Sequence, residues 1–400
     1  MNKKQFVILL GLVVVLGIVG ITRWKGQSSS WSGGGTAVGQ KLLANFDVNA
    51  VAQIQITHGT NQLLLAKKDD TWRVAQRNDY PANFSEISSL LLKLKDLKVI
   101  QSEAIGASQL PRLELAPSGT NSPTVVAFRD ASGKDLQKLT LGKKHMKAME
   151  PAPMADFGDN SWPDGRYVQT DSATDKVVLI SDPLTDLETN PGRFLNKNFF
   201  KVEKPRTISV SFLEQTNTWK LVRETENGEF KLADAKAGEQ LDGSKVSGVS
   251  YPFSSPSFND VVINKTPEET GLDKPTTIEI ETFDGFHYTV KVGSKQDDNY
   301  PLTVAVTATL PKERTPGADE KPEDKERLDK EFADKTRKLE EKLTTEKAFA
   351  GWTYLVSSWS VDSLLKPRSE LLVAKGSEEA ASSTEESNAS GDDHEGHNHP

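Results

Sequence analysis

The sequence predicts an α+β protein made of two related units in tandem, each an antiparallel sheet with a flanking helix, preceded by one N-terminal transmembrane helix. Three observations predict this: segments that recur in the same order, apolar residues that alternate with polar ones, and an uncharged N-terminal run. The expected organisation is a membrane anchor over residues 1–25, a flexible linker over 26–45, units over 46–200 and 201–375 with a charged helical insertion at 311–350, and a disordered tail over 376–400.

The repeat is visible in short segments. TWRVAQR, which contains Trp72, resembles TWKLVRE, which contains Trp219, at an offset of 147 residues. The other matched positions are Leu115 with Leu272, Gly133 with Gly285, Gly142 with Gly293, and the closing segments 165–187 and 351–372. Two related units suit a binding or scaffolding protein more readily than a single catalytic cleft.

The N-terminal run, residues 6–22, carries no charge over 17 positions, which meets the lower limit of about 17 to 25 residues for crossing a bilayer. A cleavable signal peptide is the alternative, but no small-x-small cleavage site follows the run. Trp24 lies between Arg23 and Lys25, as expected of a headgroup anchor. We expect an uncleaved anchor with the rest of the chain outside the cytoplasm, and a Gly/Ser-rich linker after it.

In the first unit, Ile54 and Ile56 alternate with polar residues and predict a half-buried strand. Asn83 is placed to cap a helix, with Glu86 three residues later. The apolar stripe of that helix is predicted to comprise Phe84, Ile87, Leu90, Leu91, Leu94 and Leu97. Further strands are predicted at 124–129 and 136–141.

The second unit has clear sheet signals and a weak helix signal. Phe286, Tyr288, Val290 and Val292 alternate with polar residues, and the preceding Asp-Gly pair is typical of a hairpin turn. The counterpart of the first helix, residues 241–249, contains two glycines and is predicted to form only one or two helical turns.

The insertion at 311–350 is highly charged. Its apolar residues fall on one narrow face of a helix: Leu328, Phe332, Leu339 and Leu343. Opposite charges four residues apart can support this helix: Glu323 with Arg327, Glu326 with Lys330, Glu331 with Lys335, and Asp334 with Lys338. We expect a projecting, solvated helix or helical hairpin. A coiled-coil contact with a partner is the alternative, although no heptad repeat is sustained.

Composition excludes several function classes. A net charge of −8 argues against nucleic acid as a ligand, and the absence of cysteine excludes disulfides and thiolate chemistry. No nucleophile elbow, zinc-protease motif, phosphate loop or dinucleotide fingerprint is present. His58 and His287 are interpreted as solvated surface histidines. The sequence therefore predicts no catalytic residue, no cofactor and no enzyme; an unrecognised hydrolase is the distant alternative.

Two segments carry candidate metal ligands. Three methionines lie within nine residues beside a histidine, a combination that suits monovalent copper: His145, Met146, Met149 and Met154. The alternative is methionine packing over the sheet. The acidic, serine-rich tail adds His394, His397 and His399, which form at most a loose chelator. No metal site is predicted firmly from either segment.

The anchor and several sequence segments together resemble a bacterial family of membrane-anchored repeat proteins of unknown function, often associated with ABC transporters of the gliding-motility type. These segments are FDVNAVAQIQI, TWRV, DYPANFSEISSLLLKLKDLK, RLELA, LTLGKK and the GRYV to DPLTDL closing segment. The resemblance implies an extracytoplasmic accessory protein of the bacterial inner membrane, partnered by integral membrane proteins such as ABC transporter subunits. It implies no catalytic residues. Envelope copper binding is the alternative function.

Overall fold

The computed structural model describes residues 38–117, 122–148, 161–171, 173–317 and 320–373. The chain divides into two compact units between Asn196 and Lys197. The sequence predicts this boundary after residue 200, but the Phe199 and Phe200 rings pack against Phe258 and Phe253 of the second unit. The predicted anchor lies outside the described residues, among which no helix is both long and apolar enough to cross a bilayer.

Within the described residues, the first unit forms a nine-stranded antiparallel sheet with the order β4-β3-β2-β1-β6-β7-β8-β9-β5. Its strands are β1 (Gln53–His58), β2 (Asn61–Lys68), β3 (Thr71–Val74), β4 (Tyr80–Pro81), β5 (Val99–Ala104), β6 (Thr124–Arg129), β7 (Asp135–Ala148), β8 (Ser161–Thr170) and β9 (Ala173–Ile180). One α-helix, α1 (Phe84–Asp96), is accompanied by 3₁₀ turns at Val48–Ala50, Ala75–Arg77, Ala107–Leu113 and Pro191–Phe194.

The core of this unit lies between the sheet and α1. Ile54 and Ile56 are fully buried, as their alternation predicts. The Asn83 side chain accepts hydrogen bonds from the backbone N–H groups of Ser85 and Glu86, which confirms the predicted helix start. The predicted apolar stripe is buried except for Phe84, which is 66% exposed because it lies in the first turn of α1, beyond the part that covers the sheet.

In the described part of the second unit, eight antiparallel strands follow the order β12-β11-β10-β14-β15-β16-β17-β13. They are β10 (Pro205–Ser211), β11 (Trp219–Val222), β12 (Lys231–Leu232), β13 (Asp260–Val261), β14 (Thr276–Thr282), β15 (Phe286–Val292), β16 (Asn299–Ala308) and β17 (Tyr354–Ser357). The helices are α2 (Gly243–Ser247), α3 (Pro267–Thr270) and α4 (Lys325–Lys347), with 3₁₀ turns at Gln215–Asn217, Ser358–Ser360 and Arg368–Leu371. The fold class is therefore α+β, with two antiparallel sheets and few helices.

The two sheets repeat one strand arrangement. The run β1-β6-β7-β8-β9-β5 of the first unit corresponds to β10-β14-β15-β16-β17-β13 of the second. In both units the last described segment forms a β-bridge with the residue just before a helix N-cap. Leu195 pairs with Ala82 in the first unit, and Leu372 pairs with Leu241 in the second. The internal duplication predicted from the sequence is therefore visible in the strand order and in this β-bridge of the last segment.

Two glycines show how closely the copies agree. A side chain on Gly142 would collide with the Leu113 carbonyl oxygen and with Leu115, and a side chain on Gly293 would collide with the Thr270 carbonyl oxygen and approach Leu272. A strand therefore crosses directly against the preceding short helical segment in each unit, and only glycine permits this approach. The predicted matches of Leu115 with Leu272 and Gly142 with Gly293 are confirmed.

The predicted match of Trp72 with Trp219 is wrong by one strand. Trp219 lies in β11 opposite Val210 of β10, as Leu63 lies in β2 opposite Ile56 of β1. The true counterpart of Trp72 is Phe230, which precedes β12. The reason is that both strands carry a Thr-Trp-x-aliphatic pattern with a period of two, and this pattern does not specify which neighbour a strand pairs with.

Two other sequence boundaries differ from the structure. The segment 165–187 matches 351–372 only in its later part, because β8, which contains residue 165, corresponds to β16. The predicted linker ends before residue 45, since Gly39 and Leu42 donate backbone hydrogen bonds to Val99 and Leu97. Leu42 and Leu43 are buried as well, so the first unit includes residues before 45.

Candidate binding surfaces

Helix α4 is the largest difference between the units. It lies in the connection between β16 and β17, whereas only two residues separate the equivalent strands β8 and β9. The segment before the helix is braced by Arg314, whose guanidinium contacts Glu320 and donates to Asp329 Oδ1 at 2.7 Å. The insertion is therefore an addition to a hairpin end that the fold does not require.

The C-terminal part of α4 is docked through a buried carboxylate. Glu346 is 5% exposed; its Oε2 accepts from the Tyr288 hydroxyl at 2.8 Å and its Oε1 accepts from the Lys201 backbone N–H at 2.9 Å. Lys342 pairs with Glu346 at 2.9 Å and donates to the Lys201 carbonyl. Burial, with the Glu346 carboxylate second, raises the pKa of Tyr288 well above its ordinary value. The expectation of a fully projecting helix is wrong at this end.

The rest of α4 is solvated on its outer face. The predicted apolar stripe is its less exposed side: Leu328, Phe332, Leu339 and Leu343 are all partly buried. Arg327 pairs with Glu331 and Asp324, and Lys335 reaches Asp284 at the end of β14 instead of Glu331. The Lys335 and Glu346 contacts were not predicted, because the helix approaches the sheet, which offers partners that the linear spacing does not show. Arg327 pairs within the helix and its N-cap, but with other carboxylates than the predicted Glu323.

The metal candidates that the structure describes lie on β7. His145 Nδ1–H donates to Asp164 Oδ1 at 2.6 Å, and this bond holds the pKa of Asp164 below its usual range. Met146 is 47% exposed, and both residues line a cavity of about 450 Å³ with Arg112 and Tyr167. Met149, Met154, His394, His397 and His399 lie outside the described residues. Among the residues described, no group of three or more His, Asp or Glu side chains could hold a metal.

A second cavity of about 320 Å³ lies in the first unit and is lined by His58, Thr124, Lys144 and Arg166. His58 Nδ1 is 3.2 Å from the Thr124 hydroxyl oxygen. The Arg166 guanidinium donates to the Gly142 carbonyl at 2.8 Å and to two carbonyls of the 183–184 segment, and burial lowers its pKa. Arg166 thus connects β7 to the loop that contains residues 183–184, which is a structural role.

The other histidine considered from the sequence, His287, lies on the exposed face of β15 with Nδ1 3.9 Å from Glu281. His58 does contact a hydroxyl, that of Thr124, but the Thr124 side chain is buried, with 7% of its surface exposed. Sequence reasoning missed the Glu346–Tyr288 contact. The Lys342–Glu346 spacing of four residues was a signal for it, but burial of the carboxylate could not be anticipated without the sheet.

No curated protein and no solved structure matches the chain. One family model matches residues 72–275, from Trp72 in β3 to the residue before β14, so that it covers about half of the chain and parts of both units. The description of that family is a domain of unknown function. The chain belongs to the DUF4340 family.

Proposed function

We propose that this protein is a membrane-anchored, extracytoplasmic accessory component of a cell-envelope complex, and that it binds partner proteins through helix α4. One observation carries the proposal: α4 is held to the second unit along one side, and its opposite side exposes charges of both signs that make no contribution to the core.

The docking contacts support a binding role for the helix. Isolated pairs four residues apart contribute only about 0.2 to 0.5 kcal/mol each, so they could not fix the helix in one orientation. The buried Glu346 carboxylate, with Tyr288 and Lys342, supplies that orientation. A helix with a fixed orientation loses less conformational entropy when a partner binds its free side.

The uncharged residues 6–22 support an uncleaved anchor, and the resemblance to membrane-anchored repeat proteins supports integral membrane partners such as ABC transporter subunits. The test of the anchor is alkaline carbonate extraction of membranes from cells that make the full chain. The protein should stay in the pellet and keep its first 22 residues. Recovery of a mature chain that begins after residue 22 would refute the anchor.

Partner binding can be tested by site-specific cross-linking, because the chain contains no cysteine. Ala333→Cys, on the exposed side of α4, would carry a photoreactive maleimide in native membranes, and Ala305→Cys, exposed on β16, is the matched control. We expect an adduct with an integral membrane protein from position 333 and none from position 305. Equal adducts from both positions, or none from position 333, would contradict the proposal.

Charge reversal tests the same surface. Lys330→Glu with Lys338→Glu alters the exposed side of α4, and Lys231→Glu with Lys291→Glu alters exposed sheet positions as a control. The adduct should be reduced only by the first pair. Deletion of residues 312–347 is a poorer test, because it also removes Glu346 and leaves the buried Tyr288 hydroxyl without this partner.

A second candidate function is the binding of monovalent copper, favoured by the contact between His145 and Asp164. A carboxylate that fixes one ring nitrogen of a histidine leaves the other nitrogen oriented toward a metal, and the exposed Met146 supplies an adjacent thioether. Titration of the full chain with Cu(I) against a competing chelator should show one site that His145→Ala removes. Unchanged affinity in that variant would eliminate this site.

A further inference from the structure

Three lysines surround one carboxylate on the surface of the first unit where the described chain begins. Lys41 Nζ lies 2.6 Å from Asp96 Oδ1, and this bond, followed by the charges of Lys41, Lys95 and Lys98, lowers the pKa of Asp96. Three cations and one carboxylate leave a local charge of +2, whereas the whole chain carries −8. The surface therefore has the opposite sign to the protein as a whole.

Exposed apolar side chains border these lysines. Val38 is 52% exposed, Leu92 is 53% exposed and Ile100 is 45% exposed. We call the surface formed by Lys41, Lys95, Lys98, Val38, Leu92 and Ile100 the lysine face. Large aliphatic side chains exposed beside cations are typical of surfaces that lie at a bilayer interface.

The backbone makes the lysine face continuous. Lys41 is the bridge partner of Lys98, and Gly39 donates its N–H to the Val99 carbonyl, so the segment 39–41 runs beside the start of β5. Side chains alternate along a strand, which places Lys98 and Ile100 on the exposed side and Val99 in the core. Leu92 and Asp96, four residues apart, share one side of α1, and Asp96 joins that side to Lys41.

The neighbouring charges on the α1 side are already balanced. Lys93 lies 2.7 Å from Asp186 and 3.6 Å from Asp182, and Asp186 also contacts Arg193. The charges of Lys93 and Arg193 therefore balance those of Asp182 and Asp186. This side of α1 therefore neither adds to the positive charge of the lysine face nor cancels it.

We propose that the lysine face rests on the anionic phospholipid surface of the bilayer that holds the chain, an inference that rests on the proposed N-terminal anchor. Thr22 and Val38 are sixteen residues apart, a distance that could reach up to about 55 Å, so the anchor alone permits many orientations of the first unit. The positive charge and the exposed apolar side chains favour the orientation in which the lysine face contacts the bilayer. A second copy is a poorer occupant, because a two-fold contact would place the same cations against each other.

The absence of cysteine allows a direct test on the full chain reconstituted in vesicles. Single labels would be placed by Ile100→Cys and Leu92→Cys on the lysine face, and by Ala131→Cys in the β6–β7 turn at the other end of the sheet as control. The vesicles would contain phosphatidylcholine with or without phosphatidylglycerol, and a nitroxide on the lipid headgroup would quench the label. We expect stronger quenching at positions 92 and 100 than at 131, and only with phosphatidylglycerol.

Removal of charge gives a second readout. Lys95→Gln and Lys98→Gln should each lower occupancy of the bilayer-bound orientation roughly fivefold, since one lysine contributes about 1 kcal/mol at an anionic surface. About 1 M salt, which shortens the screening length to about 3 Å, should have a similar effect. Circular dichroism would check that the variants fold.

The outcomes separate this inference from the anchor. Equal quenching at all three labels in protein that floats with the vesicles would overturn the lysine face and leave the anchor standing. Protein that does not float with the vesicles would overturn both. Labels at 92 and 100 that stay shielded from a water-soluble quencher in detergent would indicate a second copy of the chain instead of lipid, and would also overturn the proposal.

Discussion

The two units share their central strands and differ at their margins. The strand order from β1 to β5 through β6–β9 recurs in the second unit, and so does the close approach at Gly142 and Gly293. The α1 helix has 13 residues and α2 has five, and the two residues between β8 and β9 are replaced by an insertion that contains α4. Backbone contacts in the core constrain the copies, whereas hairpin ends tolerate additions at little entropic cost.

The same comparison suggests a division of roles. In the first unit the chain enters beside β5 and presents the lysine face. In the second unit the added helix has a solvated side. Under the two proposals, the first unit would orient the protein at the membrane, and the second would bind the partner.

The largest expected effect concerns the outer strands. Trp219 is 1% exposed and its indole N–H donates to the Lys366 carbonyl at 2.9 Å, so Trp219→Ala should destabilise the second unit by about 3 to 5 kcal/mol. Trp359→Ala is the control, because Trp359 is 68% exposed. The measurement is urea unfolding combined with hydrogen exchange, which resolves the units. Because the equivalent residue is Leu63, Trp219→Leu should cost less than Trp219→Ala; an equal cost would count against the revised alignment.

The next effect tests the shared core. Gly142→Ala and Gly293→Ala should each cost about 1 to 3 kcal/mol, because the new methyl group meets a backbone carbonyl in either unit. Gly243→Ala, where no atom lies within 4 Å of the added carbon, is the control. Thermal unfolding with hydrogen exchange would report each unit. Tolerance of one substitution and not the other would show that the two close approaches are not equivalent.

A smaller expected effect concerns the pH dependence of the stability of the second unit. Hydrogen bonds from Arg368 and the Lys236 backbone lower the pKa of Glu239 from 4.5 to about 2, whereas the first unit has Pro191 at the position of Arg368. A lowered folded-state pKa stabilises the fold above the unfolded value, and this contribution is lost as pH falls from 4.5 through about 2.

Glu239→Gln should therefore lower the unfolding midpoint of the second unit at pH 7, and the difference from the parent chain should vanish near pH 2. Glu279→Gln, on the exposed side of β14, is the charge-matched control. Urea unfolding across this pH range is the measurement. A difference that persists unchanged at pH 2 would show that the carboxylate charge is not responsible.

The smallest expected effect concerns the histidines. His58→Ala and His287→Ala should change stability by less than about 0.5 kcal/mol, because both side chains are exposed. Neither variant should alter cross-linking from position 333. Loss of cross-linking in a folded, membrane-bound variant would require a chemical or metal-binding role and would overturn the division of roles between the units.

Much of the fold could be predicted from local patterns. The period of two at Ile54 and Ile56, the Asn83 cap and the matched glycines predicted strands, a helix start and the duplication correctly. Phe84 shows the limit of such reasoning: it fits the apolar stripe of α1, yet it is exposed, because burial at a helix end depends on what covers it. The candidate surfaces were less predictable, since the lysine face joins residues from three separate segments.

By itself, the sequence determined several of the main strands and the start of α1, because side-chain periodicity, capping and turn residues act over a few neighbouring positions. It also determined that the chain contains two copies of one unit. The tertiary structure alone decided which strand pairs with Trp219, where Glu346 is buried, and which lysines surround Asp96. Those outcomes depend on contacts between residues far apart in the chain, and a local pattern leaves such pairings open.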